Sequence, residues 1–299
     1  MPRDEVETYE RHLEELWRHW DELLARVPAG RWSQRFGPDW TYSDVPWHLA
    51  YFDRVMVADV IEKGRDLPPE ERFDLRTTRE LNEWNRAEFA MRPAGTTPEQ
   101  AIAELLRQRE RIRRLLAAMT DADLGKPAYN HFFGAGWSTV ASALHGARLH
   151  AWSELFEFSY RLTGRAAAVD PAIAHAGLAT YMGMMPLFAD PAVAEKVGQF
   201  VIGWEVGGPG GGTWTIGVRD GRVYSTEKPP ERADLRLRMD GETYLRMLKK
   251  LANPMLLMLT GKVKARPFSR MRTFGRLFTD PPLDRAPDPT LVAQALSVG

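Results

Sequence analysis

Apolar residues recur every three to four positions from the N-terminus to about Gly164, which is the spacing of amphipathic helices. Four long helices are predicted from this pattern, over Asp4–Val27, Thr41–Lys63, Thr97–Met119 and Ser138–Leu162. The third has the clearest start, because Thr97 can cap it, proline follows, and Gln100 completes a capping box. A long connection over 64–96 joins the second helix to the third, so this half is predicted to form a four-helix bundle.

From about residue 200 the pattern changes to alternation of apolar and polar residues, which is typical of strands with one buried face. Strands are predicted at Phe200–Val206, Thr213–Arg219, Arg222–Ser225, Ala233–Met239 and Lys262–Arg266. Helices are predicted around them, at Pro171–Phe188, Pro191–Gln199, Glu242–Leu251, Pro254–Leu259 and Phe268–Phe278. We therefore predict an α+β chain with two domains, a helical bundle over 1–165 and an antiparallel sheet covered by helices over 166–299.

Composition narrows the class of protein. The 40 basic and 40 acidic side chains balance, so the overall charge gives no reason to expect a nucleic-acid partner. The absence of cysteine excludes disulfides and catalysis by a thiolate of the protein itself. The N-terminus is charged, and no apolar run is long enough to cross a bilayer, so the sequence predicts a cytoplasmic protein without a transmembrane segment.

One stretch of the second half is strongly basic. Between Thr243 and Thr279 there are nine lysines and arginines and no acidic residue, with apolar residues interleaved. This charge favours weak contact with an anionic membrane, or a ligand with a carboxylate or phosphate group. A basic face that complements the more acidic first half explains it equally well.

Two histidines and a carboxylate form the sharpest chemical hypothesis. His48 lies at the edge of the apolar stripe of the second helix, while His150 and Glu154 lie one turn apart near the edge of the fourth. Three such ligands on two helices suit a divalent metal ion with open coordination positions. The alternative is that they are ordinary helix residues. His131 before the fourth helix is a weaker candidate for ligation, and Arg148 is expected at the surface.

The first half resembles the DinB-like superfamily, which includes thiol transferases and mycothiol-dependent maleylpyruvate isomerases. The resemblance covers about residues 5–164. It is carried by the run from Gly37 to Ala50, GPDWTYSDVPWHLA, by Glu83-Trp84-Asn85, and by Gly136-Trp137-Ser138-Thr139 leading into His150 and Glu154. It implies three ligands, usually histidines with an occasional glutamate, that hold zinc or nickel. His48 matches the first ligand. His150 and Glu154 match the later pair by spacing, in the order His then Glu instead of Glu then His.

The second half is similar to the sterol-carrier-protein fold over about 190–280. The resemblance is carried by Ala233-Asp234, Asp240-Gly241 and Gly261-Lys262-Val263-Lys264. It implies helices over a sheet that enclose an apolar tunnel for a lipid or another hydrophobic molecule. Methionine-rich segments offer an adaptable lining for such a tunnel, or they pack into a core without a cavity.

Together these features predict a metal-dependent transferase or isomerase that uses a low-molecular-weight thiol on a small, partly hydrophobic electrophile. Zinc is the expected ion, with nickel as the alternative. The competing prediction is a non-catalytic carrier of lipid or another hydrophobic ligand with a metal-free bundle, so the sequence leaves open whether the protein is an enzyme. A homodimer built on bundle helices is a further possibility.

Overall fold

The structure is a computed structural model that describes residues 2–37, 40–133 and 135–278. Contacts between Cα atoms divide the described chain after Ala167 into two compact units, the first unit and the second unit. Compactness does not show that either unit folds alone, so the predicted domains 1–165 and 166–299 stay a prediction. Within the described ranges, no helix has both the length and the apolarity needed to span a membrane.

The first unit is mainly helical. Its helices are α1 (Asp4–Leu24), α2 (Asp44–Phe52), a π segment (Asp53–Ala58), α3 (Asp59–Lys63), α4 (Thr78–Ala90), α5 (Pro98–Ala117), α6 (Asp121–Leu124) and α7 (Val140–Thr163). The predicted capping box of α5 is confirmed, since the Thr97 hydroxyl accepts from the Gln100 N–H and the Gln100 side chain accepts from the Thr97 N–H. The chain from α2 to α3 is one continuous helical stretch, as predicted, but its π segment is not indicated by the sequence pattern.

The long helices of the first unit pack around one apolar core. Helix α1 packs on α7 and α2 packs on α5, while the π segment contacts both α5 and α7. The core includes Val6, Leu13, Trp17, Met56, Val57, Ile112, Leu116 and Leu144, all at most 6% exposed. A hairpin of β1 (Pro127–Asn130) and β2 (Gly136–Thr139) leads into α7, in a segment for which no strand is predicted from the sequence. These strands are four residues long, too short to show a clear alternation.

The second unit combines helices with a five-stranded sheet. Its elements are α8 (Pro171–Met184), a 3-10 turn (Met185–Phe188), α9 (Pro191–Val197), β3 (Gln199–Gly207), β4 (Gly212–Arg219), β5 (Arg222–Thr226), β6 (Leu235–Asp240), α10 (Gly241–Leu248), α11 (Pro254–Leu259), β7 (Lys264–Arg266), a second 3-10 turn (Phe268–Arg270) and α12 (Met271–Leu277). The strand order is β5-β4-β3-β6-β7. Three of the four strand pairs are antiparallel as predicted, whereas β3 and β6 pair in parallel. After β5, at one edge of the sheet, the chain crosses to the other side of β3. Strand β6 therefore lies beside β3 and runs in the same direction.

One face of this sheet is buried, as the alternation predicts. In β6, Leu235, Leu237 and Met239 are at most 5% exposed, and the intervening Arg236 and Arg238 lie at the surface. The predicted Asp220-Gly221 turn joins β4 to β5, and both residues have positive φ angles, 53° and 74°, as a two-residue hairpin turn requires. The α+β fold, helical in the first unit and rich in antiparallel strands in the second, is therefore confirmed.

Candidate metal centre

His48 is positioned by the first turn of α2. At the start of the helix, the Asp44 carboxylate accepts hydrogen bonds at 2.7 Å from both the backbone N–H and the hydroxyl of Thr41. Arg92 pairs with the other oxygen of Asp44 and so ties this start to the end of α4. His48 follows one turn later and is only 5% exposed, so its ring is held inside the bundle.

A buried carboxylate orients the His48 ring. Nδ1 of His48 lies 3.0 Å from Oε2 of Glu88 on α4, and Glu88 is fully buried. Burial raises the pKa of Glu88, and the neighbouring His48 opposes that rise. When Glu88 is ionised, its carboxylate only accepts hydrogen bonds; Nδ1 of His48 then carries the proton, and Nε2 presents its lone pair on the opposite side of the ring. The second oxygen, Oε1, is buried and accepts no hydrogen bond from the residues that the structure describes.

His150 on α7 meets that lone pair. The two Nε2 atoms of His48 and His150 lie 3.0 Å apart, and one proton between them makes a hydrogen bond. The His150 ring stacks on Phe52 with a centroid distance of 3.7 Å and an interplanar angle of 6°. Two of the three predicted ligands are therefore close together, each held by a second contact that fixes its ring.

The separation of these nitrogens can be compared with metal coordination. Zinc–nitrogen bonds of about 2.05 Å place two ligating nitrogens about 3.3 Å apart at a tetrahedral angle and about 2.9 Å apart at a right angle. The observed 3.0 Å matches adjacent octahedral positions directly and a tetrahedral ion after a small separation of the rings. The two nitrogens are therefore close enough to share a divalent ion in place of the proton that joins them here.

The third predicted ligand, Glu154, does not form a metal-binding group with His48 and His150 in the structure. Glu154 is half-buried and lies one turn beyond His150 on α7. Across 2–37, 40–133 and 135–278, no group of three or more His, Asp or Glu side chains is arranged to hold a metal ion. The structure brings His48 and His150 together, while the role of Glu154 stays a prediction.

Aromatic rings surround the histidine pair. The Trp40 ring lies 4.6 Å from the His48 ring between centroids, and Phe89 lies 4.8 Å from Trp40 and 6.3 Å from His48. With Phe52 stacked on His150, these rings reduce the access of water and lower the local dielectric constant. Interactions of an ion or a charged ligand are stronger in such surroundings than in water.

A buried ion pair lies close to the same place and was missed in the sequence. Asp53, in the first position of the π segment, lies 3.8 Å from Nε of Arg109 on α5, and Arg109 also donates to Asp21 at 2.9 Å. Burial raises the pKa of Asp53 to about 7, although Arg109 and His48 both oppose it, and burial lowers the pKa of Arg109 to about 10. A signal was present, because Arg109 interrupts the apolar stripe of α5 between Leu105 and Ile112.

Family comparisons agree with the two units. The model of the DinB superfamily matches residues 12–153, and that of the SCP-2 sterol transfer family matches residues 188–266. The N-terminal half is DinB-like and the C-terminal region is sterol-carrier-like. No curated protein matches the chain.

Several solved structures are similar to this chain. One is the mycothiol-dependent maleylpyruvate isomerase, with 11% sequence identity and a TM-score of 0.51. A histidine-to-alanine mutant of that isomerase has 10% identity and a TM-score of 0.53. Each alignment covers 87% of this chain and 92% of the isomerase chain. At this identity the likeness shows a shared fold. The apo form of sterol carrier protein 2 from Yarrowia lipolytica has 19% identity and a TM-score of 0.27 over 36% of this chain and 88% of its own.

His131 and Arg148 of the DinB-like unit both lie buried against other side chains. His131 is 2% exposed, stacks on Phe73 at 3.9 Å, and its Nδ1 faces the Phe73 carbonyl at 3.3 Å. Arg148 does not lie at the surface as expected, since it is buried and donates from Nη2 to Nδ1 of His145 at 3.0 Å. His145 in turn lies 2.9 Å from the Tyr9 hydroxyl, so α7 is covered on the side opposite to His150.

Asp59 follows His48 by about three helical turns, and the π segment lies between them. An uninterrupted α-helix would carry Asp59 on the same side as His48, but its carboxylate pairs with Arg111 of α5 at 2.7 Å. The π segment between them contains wider turns than an α-helix, so it rotates the residues that follow relative to His48. Such interruptions are frequent at functional sites.

Proposed function

We propose that the DinB-like unit is a metal-dependent transferase or isomerase that uses a low-molecular-weight thiol. Its substrate would be a small, partly hydrophobic electrophile. The proposed ligands are His48, His150 and Glu154, the proposed ion is zinc, and nickel is the alternative.

The observation that carries this proposal is the approach of the two Nε2 atoms to 3.0 Å, with Glu88 behind His48. Carboxylate–histidine pairs of this kind are typical behind metal-ligating imidazoles. Two similar solved structures are named as a mycothiol-dependent isomerase, which supports a thiol as co-substrate. Because this chain contains no cysteine, that thiol would have to be a separate small molecule.

The residues of the chain have distinct tasks in this proposal. Glu88 holds the proton on Nδ1 of His48, so the lone pair of Nε2 points away from the carboxylate. Phe52 fixes the plane of the His150 ring by stacking. Trp40 and Phe89 limit the entry of water beside His48. A divalent ion bound there would lower the pKa of a bound thiol and supply a nucleophile at neutral pH.

Metal analysis of the full-length protein tests the proposal. After reconstitution with zinc and removal of free metal, we expect about one ion per chain, and loss of that ion in His48→Ala and His150→Ala. His19→Ala is the matched control, because His19 lies partly exposed on α1 beside Glu15. Retention of zinc in all three variants would remove the enzyme proposal, and so would failure of the unaltered protein to bind either zinc or nickel.

A second candidate function is supported by the sterol-carrier-like unit. A cleft of about 280 Å³ lies between α11 and β7, and it is lined mainly by Met255, Met258, Leu259, Val263 and Phe268. We propose that this unit carries a lipid or another hydrophobic ligand. Native mass spectrometry of the purified chain should then detect a bound lipid, and a fluorescent fatty acid should bind; the absence of both would contradict the carrier function.

Homodimer formation and a cytoplasmic location also remain proposals.

A further inference from the structure

Helix α11 exposes its apolar side chains instead of burying them. Met255, Leu256 and Leu259 are 55, 59 and 81% exposed, and Phe268 just beyond β7 is 60% exposed. These four residues form the apolar patch. Met255, Leu259 and Phe268 line the same cleft, so they are neighbours on one surface. A contiguous apolar surface of this kind usually marks an interaction site.

The exposure is a feature of an ordered helix. The side chain of Asn253 accepts from the Met255 N–H at 2.9 Å and caps the start of α11. Leu257 on the opposite side of the helix and Val263 after it are each only 6% exposed, so they anchor the segment in the unit. The apolar patch therefore stays outward while the rest of α11 is fixed.

Positive charge surrounds the patch. Lys262, Lys264, Arg266 and Arg270 are exposed and form the basic rim; Lys264 and Arg266 line the cleft itself. None of these four forms an ion pair with a residue in the described part of the chain. The sequence from Thr243 to Phe278 contains no acidic residue that would neutralise them.

We propose that the apolar patch and its basic rim dock the sterol-carrier-like unit on the surface of an anionic lipid bilayer. The apolar side chains would enter the boundary between headgroups and acyl chains, while the lysines and arginines contact anionic headgroups. This inference is independent of the metal proposal. It also goes beyond the carrier function, because it assigns the exposed apolar rim of the proposed ligand cleft to contact with a membrane.

The positive charge of the basic rim makes a second copy of the chain a poorer partner for the apolar patch than an anionic bilayer. A symmetric dimer places the same patch of each subunit face to face. The two basic rims, four cations each, would then lie close together, and residues 243–278 offer no acidic side chain to separate them. An anionic bilayer instead offers negative charge around an apolar interior, so it complements both parts of the surface.

Vesicle co-sedimentation of the full-length protein tests this surface. At low salt we expect binding to vesicles that mix two parts of phosphatidylcholine with one part of phosphatidylserine. Binding should be weaker to pure phosphatidylcholine and should weaken as salt increases. Leu259→Ser should reduce the partition coefficient by about tenfold. Lys262→Gln with Lys264→Gln should reduce it by about 25-fold, since each cation near an anionic surface contributes about fivefold.

Matched controls separate the surface from general effects. Leu106→Ser alters a leucine of the first unit that is 42% exposed. Arg222→Gln with Lys228→Gln removes two charges at β5, the opposite edge of the sheet. Both controls should bind vesicles like the unaltered chain.

Three results would overturn the proposal. The first is no binding to anionic vesicles, and the second is equal binding to neutral ones. The third is light scattering that shows a dimer which Leu259→Ser dissociates while vesicle binding is unchanged, because a second copy would then occupy the patch.

Discussion

Substitution of Glu88 by glutamine examines the histidine pair directly. Glu88 is fully buried, and its Oε2 is 3.0 Å from Nδ1 of His48. Glutamine keeps the size of the side chain but removes its negative charge. The change therefore weakens the attraction that keeps the proton on Nδ1, without opening a cavity.

The expected loss of zinc affinity follows from the one hydrogen bond that changes, between Glu88 and His48. A buried hydrogen bond to a charged group contributes about 1.5–3 kcal/mol, which corresponds to about 10- to 150-fold in an equilibrium constant. Loss of a carboxylate behind a ligating histidine typically lowers metal affinity by about 10- to 100-fold. We therefore expect Glu88→Gln to weaken zinc binding by about one to two orders of magnitude.

Two measurements report this effect. Titration of the metal-free protein with zinc against a competing chelator gives the affinity. Nitrogen-15 NMR of the imidazole side chains gives the His48 tautomer, and the fraction with the proton on Nδ1 should fall in the variant. Glu83→Gln, an exposed change on the same helix, should alter neither quantity. If Glu88→Gln kept both the unaltered affinity and the Nδ1–H tautomer, the orienting role of Glu88 would be refuted.

Two further predictions concern stability. Burial raises the pKa of Asp53 to about 7, so the folded protein binds this proton more tightly than the unfolded chain does. The contribution of Asp53 to stability should be greatest below the usual pKa of aspartate and fall by up to about 4 kcal/mol as the pH rises from there through 7. Urea denaturation of Asp53→Asn should lack this part of the pH dependence, while exposed Asp66→Asn keeps it. Phe52→Ala removes a core ring that stacks on His150, and should lower the free energy of unfolding by about 3–5 kcal/mol. An unchanged denaturation midpoint would contradict that packing role.

The sequence predicts those features that depend on local patterns. Helical periodicity and the Thr97 capping box locate the long helices, and alternation locates the strands of the second unit. The closeness of His48 and His150 also follows from their positions at the edges of two apolar stripes, together with the resemblance of their motifs to a known superfamily. Most of these signals lie within one helix or strand. The approach of His48 to His150, 102 positions apart, needs the superfamily motifs in addition.

Features that depend on packing between distant segments, and that no recognised motif marks, were not predicted. Glu88 reaches His48 only because α4 packs on α2, 40 positions apart in the chain. Its position on the apolar stripe of α4, after Leu81 and Trp84, was a usable signal, since a carboxylate on such a stripe needs a partner. The parallel pairing of β3 with β6 likewise depends on a crossover that neighbouring strands do not reveal.

The distribution of buried charge supports a functional site at His48. Glu88 and Asp53 both have pKa values raised by burial, each is affected by His48, and Arg109 beside Asp53 has its pKa lowered by burial. Burying ionisable groups costs free energy, and apolar residues of similar size would often make a more stable core. If the bundle were only a scaffold, such groups would have no reason to collect around one histidine. Their concentration there is what we expect if His48 is a metal ligand, because buried polar groups would then hold the ligand ring in place.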